Sequence, residues 1–200
     1  MLEVRWHGRG GQGVVTASHV LATAALVQGL HFQSLPAFGA ERSGAPVVAY
    51  TRIADGPIPV RGPIEEPDVV VVLDPTLIGR VAVLEGLGQG GVVIVNSPRP
   101  PQEVARELGV PPGRVYMLDA SEVALRLLGR RLPNAPMLGA LVRVTAVVSL
   151  GACGEALRQT VGARLGAAVL DANLRALHEG YERVRGCAPL PAGGALHEAD

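Results

Sequence analysis

The sequence predicts an α/β fold: a doubly wound, mostly parallel sheet with helices on both faces and a helical C-terminal third. Three observations carry this. Short β-branched runs such as Val69–Leu73 and Gly91–Asn96 alternate with proline-started helical segments, the pattern of βαβ units. The chain is 48% hydrophobic but only 3% aromatic, so its core must be built from Val, Leu, Ile and Ala, which suits strands covered by small-residue helices. Finally, 200 residues is about one domain at ~100–200 residues per domain. A single domain is predicted over residues 1–186, with a flexible tail over 187–200 that holds Pro189, Pro191 and Gly193-Gly194.

The elements follow in order. Val4–Trp6 reads as a strand, Gly8–Gly13 as a glycine turn, and the Gly- and Pro-free stretch Val14–Gln28 as a helix ended by Gly29. Leu30–Ser34 is a second strand, followed by a loop punctuated by proline and glycine, 35–46, and a strand over Val47–Ile53. Asp55-Gly56 is a hairpin signal that would return the chain through Ile58–Arg61. Val69–Leu73 is unbroken and apolar, as in a strand buried on both faces, and Asp74-Pro75 would open a helix over Thr76–Glu85. Strand, helix, strand and helix then occupy Gly91–Asn96, Pro101–Leu108, Arg114–Leu118 and a segment capped by Asp119 or Ser121 that runs through Leu128. Helices are expected over Pro136–Leu150, Glu155–Val161 and Ala168–Val184.

Composition excludes several functions. All 18 basic residues are arginine, so neither a Schiff-base lysine nor a phosphate-loop lysine is available. The 18 Asp and Glu balance them, and without a basic run no nucleic-acid partner is expected. Cys153 and Cys187 are too few for a zinc ribbon or an iron–sulfur cluster and read as inert thiols. The N-terminus lacks an apolar signal core, so a cytoplasmic location is expected. No apolar run reaches the ~20 residues of a membrane span.

Gly8, Gly10 and Gly13 satisfy G-x-G-x-x-G between a strand and a helix. There the backbone can approach a phosphate, and the helix start supplies free N–H groups and a positive dipole end. A nicotinamide site also needs an acidic residue ~20 positions on, to hold the ribose. Val14–Ala40 contains none, so the turn reads better as a cradle for a pyrophosphate or acyl-carrier phosphate, or as the seat of a partner's loop.

The segments Trp6–Gly13, Phe38-Gly39-Ala40-Glu41-Arg42-Ser43-Gly44-Ala45-Pro46 leading to Thr51-Arg52-Ile53, Pro67-Asp68 before Leu73-Asp74-Pro75, and Asn134 with Met137-Leu138-Gly139-Ala140 carry a resemblance. Together they resemble the gamma subunit of the 2-oxoacid:ferredoxin oxidoreductases, pyruvate:ferredoxin oxidoreductase among them, over roughly Glu3 to Val184. The resemblance implies a subunit of a complex that converts a 2-oxoacid, with pyruvate favoured, and coenzyme A into acyl-CoA, carbon dioxide and reduced ferredoxin. It implies alpha, beta and ferredoxin-like delta partners, with thiamine diphosphate and [4Fe-4S] clusters in those other chains. This chain would cover the active site and share in coenzyme A binding.

The site residues on this reading are Gly8, Arg9, Gly10, Gly11, Gln12, Gly13, Glu41 and Arg42, with no catalytic residue and no metal ligand. Arg9 could pair bidentately with a phosphate. Gln12 offers an amide. Glu41 and Arg42 are loop charges whose rival role is to shape the loop. His7, Phe38 and Asp74 have structural readings at least as good as functional ones, as a strand end, a loop anchor and a helix cap. Two rival functions stand beside the main one: a nucleotide-binding reductase acting alone, and a purely structural chain that seals an interface.

Overall fold

The computed structural model describes residues 1–36, 44–162 and 164–188. In chain order the elements are β1 (Leu2–Arg9), α1 (Val14–Val27), β2 (His31–Pro36), β3 (Pro46–Ala54), β4 (Val69–Val72), β5 (Val92–Asn96), α2 (Pro101–Leu108), β6 (Val115–Leu118), α3 (Ala120–Leu128), α4 (Asn134–Thr145), α5 (Leu150–Val161), α6 (Ala167–Arg183) and β7 (Arg185–Gly186). The strands form one sheet in the order β2-β3-β1-β4-β5-β6-β7. Its middle, β1-β4-β5-β6, is parallel. β3 runs antiparallel to both β1 and β2, and β7 antiparallel to β6.

Alternation along the central strands builds two cores. Val4, Trp6, Val69, Val71 and Ile94 face the core shared with α1 and α3 to α6. Val70, Val72, Val93 and Val95 face the other core, with Val104 and Ala105 of α2. β4 is therefore buried along its whole length, and an unbroken apolar run is what that position requires. Under α1, Trp6 Nε1 donates to Thr51 Oγ1 at 3.0 Å, and Ser18 and Thr51 share a hydroxyl contact at 2.8 Å, so the polar atoms of this layer satisfy one another.

The structure departs from the sequence expectations at four places. The hairpin at Asp55-Gly56 has no returning strand, because Pro57 and Pro59 cannot donate to a ladder. The segment serves instead as a row of acceptors. Gln33 reaches the carbonyls of Ile58 and Val60, and the buried guanidinium of Arg52 reaches those of Gly62 and Pro63 as well as Glu3 Oε1 at 2.6 Å. The helix expected over Thr76–Glu85 is only a 3-10 turn, Pro75–Leu77. Ile78 already takes an extended conformation and Gly79, at φ +76°, a left-handed one, so no helix continues, while Leu77 and Val83 stay buried. β7, two residues long, carries no periodic signal and pairs with Tyr116 and Met117.

The fourth departure is the segment read as one helix over Pro136–Leu150. It is most of α4, which stops at Thr145, then a short connection and the first residue of α5; the break falls at Ala146, which takes the left-handed conformation at φ 50°. Alanine gives no warning of such a cap, since glycine is the residue that adopts it without strain. Ala146→Gly is therefore expected to stabilise the protein by about 1 kcal/mol, read as a higher urea midpoint at constant slope.

α4 and α6 pack with almost no separation. A Cβ on Gly139 would lie 2.0 Å from the Leu177 carbonyl oxygen, and one on Gly180 would lie 2.0 Å from that of Pro136. The two glycines let backbone meet backbone, which holds the start of α4 fixed over the sheet.

Candidate functional site

The chain reverses its winding at β1 and β4. β1 leads into α1 on one face, whereas β4 leads into the Pro75–Leu77 turn on the other, and in open α/β sheets ligands bind in the crevice at such a switch point. The glycine turn lies at this edge. Gly8 must lack a side chain because a Cβ would meet Val14 Cγ2 at 2.5 Å. Gly13, at φ +76°, stands as the left-handed residue just before α1, and a Cβ there would meet Asn134 Nδ2 at 2.5 Å.

Much of the turn's hydrogen-bonding capacity is spent inward. Gly10 N–H donates to the Ala45 carbonyl at 3.0 Å, Gln12 N–H to that of Arg9 at 3.1 Å, and Arg9 N–H to Gln12 Oε1 at 2.7 Å. Arg9 binds Asp74 at 3.1 Å through Nε, the Gly44 carbonyl through Nη1 and Thr76 Oγ1 through Nη2. Gln12 Nε2 donates to Asp74 Oδ2 at 2.9 Å. Asp74 Oδ1 also accepts from Thr76 N–H and Oγ1, so Asp74 caps the 3-10 turn. Burial works against its charge, but the Thr76, Gln12 and Arg9 contacts together hold its carboxyl below the ordinary range.

The clasp adds ties that residue type alone does not show. Arg9 and Gln12, read as phosphate contacts, also fix the turn to β4, and the N–H of Gly10, read as part of a phosphate cradle, is engaged by Ala45; Arg9 and Gly10 still line the cleft over α1. The first turn of α1 remains for a ligand, with neither a side-chain cap nor an acidic residue. Glu41, Arg42 and Phe38, and most of the tail, lie outside the described residues.

Over the start of α1 opens a cleft of about 710 Å³ lined by Arg9, Gly10, Gly11, Gly13 and Val14–Thr16 on one side. Its other side is made by helix ends that the sequence analysis did not single out. Arg130 comes from the segment after α3, Asn134 opens α4, and Arg164 follows α5. Among the described residues no acidic side chain lines the cleft, and Arg130 and Arg164 make no ion pair. Asn134 is buried, yet its Oδ1 has no hydrogen-bond partner. Leu132, Leu157, Val161 and Leu165 supply an apolar wall.

Beneath the clasp, on β1, His7 is buried beside Arg5, whose Nε donates to His7 Nε2 at 3.2 Å. Burial, followed by the Arg5 charge, pushes the imidazole down to about 4. The residue therefore stays neutral at pH 7, as a strand residue and not a working base. Because its folded value lies below the ordinary 6.5, the unfolded chain takes up a proton first as pH falls. Stability should drop by about 3 kcal/mol between pH 6.5 and 4 on this account and no further below. Asp74 adds to the loss in the same direction at lower pH, since a carboxyl held below its ordinary value stabilises the fold only while ionised. His7→Gln, which keeps an acceptor for Arg5, should flatten the pH 6.5 to 4 limb in urea titrations; an unchanged limb would rule out His7 as its source.

Two further facts bound the chemistry. Among the described residues no group of three or more His, Cys, Asp or Glu could hold a metal ion, and no helix is long and apolar enough to cross a membrane. The Cys153 thiol is buried and pushed up to about 12, an inert core group, whereas Cys187 is exposed.

Fold and cleft together define an open α/β-sheet domain with an arginine-bearing cleft at the switch point of its sheet. The model of the family described as pyruvate ferredoxin/flavodoxin oxidoreductase matches residues 3–183, and the chain belongs to that family. It is 46% identical over 183 residues to the pyruvate synthase subunit PorC of Thermotoga maritima, covering 92% of this chain and 94% of that one. It is 45% identical over 183 residues to the pyruvate/ketoisovalerate oxidoreductases common subunit gamma of Pyrococcus furiosus, covering 92% and 97%. The crystal structure of the Thermotoga maritima pyruvate oxidoreductase subunit PORC superposes with a TM-score of 0.82 at 43% identity over 93% of this chain and 98% of that chain. A 2-oxoglutarate:ferredoxin oxidoreductase from Magnetococcus marinus, 22% identical and with a TM-score of 0.75, shares the fold over 32% of its length. The resemblance read from the glycine turn, the Phe38–Pro46 loop and Asp74-Pro75 thus holds at the level of the family and of the enzyme-subunit class.

Proposed function

We propose that the chain is the gamma subunit of a 2-oxoacid:ferredoxin oxidoreductase complex, with pyruvate as the favoured substrate. The match over nearly the whole length of chains named as gamma or PorC subunits carries this reading. The partners are alpha and beta chains, which hold thiamine diphosphate, and a ferredoxin-like delta chain. A [4Fe-4S] cluster takes four thiolates, and this chain has two cysteines, one of them in the core, so the clusters belong to the partners. The complex works in the cytoplasm and passes its electrons to ferredoxin.

Within that complex this chain covers the active site and receives coenzyme A in the cleft over α1. The uncapped N–H groups of Val14, Val15 and Thr16 favour a phosphate, and the apolar wall favours the uncharged arm that carries the thiol. A nicotinamide dinucleotide fits poorly. In the fold that binds one, the strand beside β1 is parallel and ends in a ribose-binding acid, whereas β3 here is antiparallel and presents Pro46 at that edge.

The test is co-expression with the neighbouring alpha, beta and delta chains. The four should purify together and reduce ferredoxin with pyruvate and coenzyme A, and omitting this chain should abolish the coenzyme A-dependent reaction. A three-chain complex with undiminished turnover would refute the proposal.

A further inference from the structure

The two edges of the sheet are finished differently. At one end β6 is closed by β7, an edge strand of two residues that carries Arg185, and a short, charged edge recruits further strands poorly. At the other end lies β2, six residues long and paired only with β3. By antiparallel alternation every second residue of β2 turns its N–H and C=O outward, and among the described residues no backbone hydrogen bond meets them. None of its residues carries a formal charge, and its one proline, Pro36, stands at the end. Up to that proline the usual defences against edge pairing are missing.

The surroundings of this edge are equally bare. No charged residue occurs between Arg9 and Glu41, and no other gap between charges in the chain is half as long. On α1, Val15, His19 and Leu26 fall on one stripe at helical spacing and are exposed, while Ala17, Leu21 and Ala24 face inward. Ser18, adjoining the stripe, shares a hydroxyl contact with Ser34 of β2 at 3.0 Å, so the stripe runs along the β2 flank of the helix. Phe32 stands opposite Ile53, which belongs to the core beneath α1, yet is 37% exposed. Val60, its carbonyl held by Gln33, is exposed at the same edge on the other face of the sheet. Away from this side, the exposed Leu125 and Val169 each stand alone among ion-paired residues, Glu122 with Arg126 and Asp171 with Arg175.

We infer that the β2 edge and the adjoining flank of α1 form a docking surface for a second copy of this chain, with the two β2 strands pairing antiparallel about a two-fold axis. Charge complementarity selects the partner. A strip without charge fits another uncharged strip, whereas a charged face laid on it would lose its water and gain no counter-charge. A second copy brings that same strip, in the self-matching arrangement a two-fold axis requires. With the axis perpendicular to the sheet, opposed residues share a face, so the axis passes through Gln33 or Ser34 and the two seven-stranded sheets become one. The two α1 helices then lie antiparallel on the same face, the Val15 end of each stripe toward the Leu26 end of the other. At ~1.5 Å per helical residue and ~3.3 Å per strand residue, α1 and β2 are both about 20 Å long, so helix contact and strand ladder cover the same span. The inference is independent of what the cleft binds.

Sedimentation of the full chain at micromolar concentration tests it. The native protein should run at twice its 20.7 kDa. Leu26→Lys/Phe32→Lys, which sets like charges against each other across the axis, should run as a monomer with an unchanged circular dichroism spectrum. Mixing that variant with Leu26→Glu/Phe32→Glu should restore a dimer of one copy of each, a rescue that a merely destabilised fold would not show. Leu125→Lys/Val169→Lys should stay dimeric. A native monomer, or a dimer that the Leu26 and Phe32 charges leave intact, would overturn the inference. A native monomer whose Leu26→Lys/Phe32→Lys variant no longer copurifies with co-expressed alpha, beta and delta chains would overturn it too, and would give the strip to one of those chains.

Discussion

Gly139→Val should unfold the chain or destabilise it by at least about 3 kcal/mol, at or beyond the upper end of ordinary overpacking costs. The reason is what the new side chain meets. Its Cβ would lie 2.0 Å from the Leu177 carbonyl oxygen and 2.8 Å from Tyr181 N, both backbone atoms of α6, so no rotamer change can make room. α4 and α6 would have to separate, and Gly180 against Pro136 shows the same closeness one turn along. A stability of ~5–15 kcal/mol makes a loss of this size a large fraction of the total. The contrast is Gly154→Ala in α5, where the nearest atoms are side-chain atoms at 3.6 and 3.9 Å. That change should stabilise by about 0.5–1 kcal/mol through helix propensity. Urea denaturation of both variants separates a tight helix crossing from a general intolerance of added methyl groups.

The second large effect falls on the cleft. Gly13→Ala forces a side chain into the left-handed region at φ +76°, costing about 1–2 kcal/mol. It also drives a Cβ to 2.5 Å from Asn134 Nδ2, 2.7 Å from Cγ and 2.9 Å from Cβ. The last of these is fixed to the α4 backbone, so the turn and α4 must part, adding about 1–3 kcal/mol. The movement displaces Asn134 and the first turn of α1 together. A rise of more than about tenfold in the coenzyme A KM is therefore expected beside the stability loss. Gly11→Ala is the control: φ is +94°, but nothing lies within 4 Å of its Cβ. It should show the backbone strain in denaturation with a smaller change in KM.

These contrasts mark what was legible in the sequence. The glycine turn, the fully buried β4 and the helix-ending Gly29 are local: each follows from residue type and spacing within a few positions. The family resemblance rested on the same local segments. Departures arose where the decisive contact is distant in sequence. Ala146 gives no sign that it will take a left-handed turn, and the ties of Arg9 and Gln12 to Asp74 and Thr76 form only once the fold brings those residues to the turn from the end of β4. Arg130 and Arg164 were missed because they sit on connections whose meeting depends on how α3 to α6 pack. One signal could have found them: neither has an acidic residue within four positions on either side, so neither has a local partner to neutralise it.

On the proposed function, coenzyme A enters the cleft formed by the start of α1, Arg130, Asn134 and Arg164. A density map of the assembled complex with coenzyme A bound tests this most directly. It should show phosphate oxygens within hydrogen-bond distance of the Val14–Thr16 N–H groups and of at least one of the two arginines. Density for coenzyme A seated wholly on the other subunits, with this cleft filled by solvent, would contradict it.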